Sequence, residues 1–153
     1  MSPTPPASLT QQFKTINYIG LAMIASVFIY AGIVTGINQG YIPLKLRQTL
    51  EAQTAATVKY ILLFVAALHY FIIRFFQKIS LKAVNRLAPG AIITFALSEA
   101  VAIYGLVLFF LNGNSTDFFI FMALSLFYFY LFYPRYQEWE ALLIQELSKP
   151  KSG

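Results

Sequence analysis

The chain has 153 residues, 58% of them apolar and 11% charged, where a soluble domain averages about 25% charged. Its formal net charge is +5, and it holds no cysteine and a single histidine, His69. Disulfides, thiolate metal centres, cysteine nucleophiles and a haem held by two histidines of this chain are thereby excluded. Residues 1–12 are rich in Pro, Ser and Thr, and 1–15 is expected to be a disordered tail. No basic segment leads into an apolar run with a cleavage site, so the first apolar run is expected to act as an uncleaved anchor.

Four apolar runs of spanning length follow, predicting an all-α integral membrane four-helix bundle. The first covers about 16–37. Gly32 and Gly36 lie four residues apart, a spacing that lets another helix approach closely. The connection 40–57 contains Pro43, which stops the first helix. Leu44, Leu46 and Leu50 among Lys45, Arg47 and Glu51 predict a short interfacial helix there. The second run covers about 58–76, with Lys59 and Arg74 placed to snorkel at its ends and His69 inside it. The loop 77–87 carries Lys78, Lys82 and Arg86, which suit anionic lipid better than nucleic acid.

The third run, about 90–111, reads GAIITFALSEAVAIYGLVLFFL and carries Glu99 near its middle. A carboxylate at that depth is costly unless it is paired, neutral or used. Ala102 and Gly105 extend a ridge of small residues, so this helix is expected to be central. Residues 112–117 (NGNSTD) form a tight polar turn. The fourth run, about 118–134, is crowded with aromatics, a face that suits lipid, with Tyr128, Tyr130 and Tyr133 toward the interface. Pro134 ends it. The stretch 135–149 then repeats Tyr136, Trp139, Leu143 and Leu147 at helical spacing. It predicts an amphipathic helix on the membrane surface or against a partner.

Lys and Arg counts give the orientation. Lys14, Arg74, Lys78, Lys82, Arg86, Arg135, Lys149 and Lys151 fall on one side, Lys45, Arg47 and Lys59 on the other. Both termini are therefore expected on the cytoplasmic side, in a bacterial cytoplasmic (inner) membrane.

With the helix ends at Ile16, Phe76, Gly90 and Pro134, four polar residues fall within about one helical turn of one another in depth. These are Ser26, His69, Glu99 and Ser125. The second and third helices are antiparallel neighbours, so His69 and Glu99 are expected to meet, with Ser26, Ser98 and Ser125 as hydroxyl partners. Two chemistries follow: a neutral Glu99 acting as a proton site, favoured by desolvation, or an ionised Glu99 coupled to a protonated His69. A hydrogen bond that only fixes helix register is the alternative.

At 95–108 (FALSEAVAIYGLVL) the sequence resembles the carboxylate-bearing helix of rotary ATP synthase c subunits, the proteolipids. The matched positions are Ala96, Leu97, Glu99, Ala100, Ile103, Tyr104, Gly105, Leu106 and Val107. The resemblance implies that Glu99 carries an ion and that Tyr104 neighbours the site. The helix preceding it in that family is rich in glycine, whereas the second run here has none. The whole chain also resembles a family of small bacterial four-helix membrane proteins, through SEAVAIYGLVLFFL and the Tyr133-Pro134-Arg135 ending.

Soluble enzyme chemistry has no support, since no phosphate loop, metal cluster or catalytic triad is visible. No cofactor, metal or nucleic-acid partner is expected, and the chain is not expected to be an enzyme on its own. Its expected partners are the lipid bilayer and either further copies of itself or a larger membrane complex. Two functions remain: handling of protons or cations through Glu99, or an accessory or assembly role.

Overall fold

A computed structural model describes residues 7–44 and 51–148, and among them every regular element is helical. The elements are α1 (Ala7–Asn38), α2 (Ala52–Ser80), a single 3-10 turn (Val84–Arg86), α3 (Leu87–Asn112), α4 (Ser115–Phe132) and α5 (Tyr136–Ser148). Four segments are long and apolar enough to cross a membrane: Leu9–Asn38, Gln53–Ser80, Val84–Asn112 and Ser115–Gln145. The interfacial helix expected around Leu46 and Leu50 lies outside the described residues.

The breaks between helices have local causes. Gly40 follows α1 with a φ of 77° and Gly113 closes α3 with a φ of 72°, a left-handed conformation that glycine adopts without strain. The Gly113 N–H donates to the Phe109 carbonyl at 2.8 Å. Asn114 then caps α4, accepting from the Thr116 N–H at 3.0 Å. Pro134 holds Tyr133 extended, at ψ 129°, and α4 ends one residue earlier.

Helix α3 is the axis of the bundle. It packs against α4, α2 and α1, with α1 and α2 on different flanks. The α3 and α4 spans are 44% and 39% buried, against 17% for each of α1 and α2, so the outer helices present most of their surface outward. Lipid is as apolar as the helices and gives no hydrophobic drive to associate, so close contact must come from shape. Gly105 supplies it: a Cβ there would lie 2.6 Å from the Phe121 Cβ and 3.1 Å from the Phe118 carbonyl. Gly90 does the same against α2, where a Cβ would overlap the Ser80 side chain. A Gly105→Val protein is expected to lose about 1–3 kcal/mol or more of stability, because the atoms in its way include α4 backbone that cannot rotate aside. Unfolding by SDS titration in mixed micelles measures this.

Three expectations are corrected by packing. The aromatic rings of α4 do not all face outward but divide between core and exterior. Phe118, Phe121, Tyr128, Phe129 and Phe132 are buried, while Phe119, Phe127 and Tyr130 are 43%, 52% and 82% exposed. The small residues of α3 leave the room that the buried rings fill. The tail ends earlier than expected: α1 starts at Ala7, because Leu9, Phe13 and Ile16 form a face with tertiary partners. Phe13 meets Tyr136 and Trp139 edge-on, at 5.1 and 5.2 Å between ring centroids. Finally, α5, expected on the membrane surface or against a partner, packs on the bundle of its own chain. It turns the buried Trp139, with Leu142 and Leu143, onto the first turns of α1 and the 3-10 turn. The Leu147 side chain lies outside those described. The ends of α2 and α4, the start of α3 and α5 thus share one end of the bundle with the start of α1.

Candidate functional site

Glu99 is held between α3 and α1. Its Oε1 is in hydrogen-bond contact with Ser26 Oγ and accepts from the Tyr30 hydroxyl at 2.9 Å. Ser26 and Tyr30 are four residues apart on α1, so both project onto one face, one turn above the other. Ser26 Oγ also reaches back to the Met23 carbonyl, at 2.6 Å. All three side chains are half-buried.

The expected contact between Glu99 and His69 does not form. His69 lies on α2, is 7% exposed, and places its Nε2 3.4 Å from the Tyr104 hydroxyl. Its Nδ1 is buried without a hydrogen-bond partner, although the Leu97 backbone borders the ring. Ser125 donates instead to the backbone carbonyl of Ser98, at 2.7 Å, and the Ser98 hydroxyl donates to the Thr94 carbonyl within α3. The polar layer is therefore split three ways. At about 100° per residue, Ser98, Glu99 and Tyr104 leave α3 at intervals of roughly 100–140° and meet α4, α1 and α2 respectively. Equal depth did bring polar groups onto α3, but on different faces.

The packing residues also divide. Ala102 is fully buried and Gly105 lies against α4, whereas Gly32 faces open space and Gly36 faces only Ile42. Tyr104 neighbours His69 rather than Glu99.

Because Glu99 and His69 face different helices, a His69→Ala, Glu99→Gln double variant is expected to be destabilised by the sum of the single effects, within about 0.5 kcal/mol. Coupling beyond that would mean that the two sites communicate through α3.

Sequence reasoning missed three residues of weight. Tyr30 sits one turn after Ser26, and that i, i+4 spacing was the available signal. Lys59 and Asp117 form an ion pair of 2.7 Å between the starts of α2 and α4, with side chains 29% and 6% exposed. Asp117 also accepts from Asn112 Nδ2 at 2.9 Å, which ties the pair to the turn after α3. Lys59 is thus an interhelical partner as well as a span-end cation. Arg74, at the other end of α2, stays exposed and lies over the Tyr70 ring at 5.6 Å. Among the described residues, no group of three or more His, Asp or Glu side chains gathers as a metal site.

No protein-family model, curated protein or solved structure matches the chain.

Proposed function

We propose that this chain is a small integral membrane protein that binds and releases a proton at Glu99, inside the membrane, with both termini cytoplasmic. The observation that carries the reading is the number of protons around Ser26. Three oxygen–oxygen contacts link the Met23 carbonyl, Ser26 Oγ, Glu99 Oε1 and the Tyr30 hydroxyl. The carbonyl only accepts, and Ser26 and Tyr30 supply one proton each. With Glu99 ionised, Tyr30 donates to Oε1 and the one Ser26 proton is shared between the Met23 carbonyl and Oε1, a three-centre arrangement that leaves a charge among apolar helices. A proton on Oε1 would remove that charge, let Glu99 donate to Ser26 and free the Ser26 proton for Met23, so that each contact is a hydrogen bond of its own. The site therefore has two states that differ by a proton and a hydroxyl rotation. The likeness of 95–108 to the carboxylate helix of rotary ATP synthase c subunits supports the same role for Glu99. The excess of Lys and Arg in the segments at the shared end supports the orientation.

A second reading, a non-catalytic accessory or assembly subunit of a membrane complex, is favoured by the outward faces of α1 and α2. Tyr18, Leu21, Phe28 and Ile29 on α1, and Tyr60, Phe64, Phe71 and Phe75 on α2, are all more than half exposed. A partner helix would cover them as well as lipid does.

Labelling by dicyclohexylcarbodiimide separates the readings, because the reagent needs a protonated carboxyl in apolar surroundings. In native membranes the proposal expects labelling at Glu99 that falls as pH rises and is absent from a Glu99→Gln protein. Protection by sodium at constant pH would assign a cation rather than a proton. A wild-type rate no greater than that of a water-exposed carboxyl would overturn proton handling and leave the accessory role.

A further inference from the structure

At the end of the bundle where α5 packs, the ends of α2 and α4 and the start of α3 enclose a cavity of about 250 Å³. This is smaller than the roughly 300–1,000 Å³ that holds a drug-sized ligand. Its walls include Gln77, Ser80, Thr94 and two charged side chains, Arg135 and Glu138. These two lie three residues apart where α4 gives way to α5, yet they form no ion pair with each other or with another described residue. A second space, an apolar groove of about 710 Å³, runs along α1 and α4 past Leu21, Ile24, Leu126 and Phe129. The cavity and the groove share four wall residues: Leu131, Tyr133, Pro134 and Arg135.

We propose that this place binds one phospholipid with a phosphoethanolamine headgroup. Arg135 takes the phosphodiester, since guanidinium matches its oxygens in a two-point fork. Glu138 takes the primary ammonium, which donates hydrogen bonds to a carboxylate where a choline cannot. An acyl chain fills the groove beside Leu126 and Phe129. The pairing of one cation with one anion selects a zwitterion, and the adjoining groove selects a lipid over a soluble phosphate ester. The exposed Lys78, Lys82 and Arg86 stand outside the cavity walls and attract anionic lipid without choosing a headgroup.

Trp139 lines the cavity and is the only tryptophan of the chain, so its emission reports occupancy. The full chain in detergent micelles is titrated with phosphatidylethanolamine, phosphatidylcholine and phosphatidylglycerol, each carrying brominated acyl chains that quench tryptophan. Ethanolamine lipid is expected to quench at about three- to fivefold lower concentration than the other two, the span of one exposed charge contact. Glu138→Gln should remove the preference over choline lipid, and Arg135→Gln should weaken all three. Circular dichroism and a thermal melt confirm that each variant is folded. Glycerophosphoethanolamine, the same headgroup without chains, should not compete at equal concentration. Equal quenching by all three lipids, a preference for phosphatidylglycerol, a preference that survives Glu138→Gln, or full competition by the soluble headgroup would each overturn the proposal.

Discussion

A Glu99→Ala protein is expected to unfold about 1–3 kcal/mol more easily than wild type, while Glu99→Gln stays within about 1 kcal/mol. The difference lies in the partners. Alanine leaves the Tyr30 hydroxyl without its acceptor inside the membrane, whereas Ser26 falls back on the Met23 carbonyl. Glutamine keeps an acceptor oxygen in the place of Oε1, where it can accept from Tyr30 and from Ser26. SDS titration of the two variants side by side measures the difference. A glutamine variant as unstable as the alanine variant would mean that an acceptor oxygen at this place does not hold α1 against α3.

Lys59→Ala is expected to cost about 2–4 kcal/mol, the largest effect of a single substitution on stability. Removing one partner of a buried ion pair costs about 3–5 kcal/mol because the other charge is left without compensation. Lys59 is 29% exposed, and solvent reduces that figure. Asp117, only 6% exposed, keeps a hydrogen bond from Asn112 but loses its cation. A double variant, Lys59→Met with Asp117→Leu, is expected to recover most of the loss, since neither charge is then stranded. The same denaturation assay measures both. A loss below about 1 kcal/mol for Lys59→Ala would mean that water reaches the Asp117 carboxylate and that the pair is a surface contact.

The two sites stand on opposite sides of the account of what was legible. Glu99 announced itself, because one acidic residue in an apolar run of spanning length has few bland explanations. Its partners did not. Depth along a helix follows from counting residues, but the face toward which a residue points depends on how each neighbouring helix is rotated. His69 and Glu99 match in depth and differ by about 140° in direction once Tyr104 marks the face toward α2. The Lys59–Asp117 pair was hidden for a different reason. Both residues read as span-end or turn residues, and only the placement of α2 beside α4 makes them neighbours.

The sequence by itself determined the class of the molecule, the four spans, the polar turn at 112–117, the break at Pro134, the central position of α3 and the presence of an acid in its middle. Each follows from length, hydropathy or the conformational limits of one residue, which are local properties. The tertiary structure alone decided which aromatic rings of α4 turn inward, that α1 extends back to Ala7, that α5 folds onto the bundle, and that Glu99 faces Ser26 and Tyr30. In an all-apolar helix no polar face marks the outside, so hydropathy cannot set rotation. Steric fit does, through gaps such as those left by Gly90 and Gly105 and the side chains that occupy them.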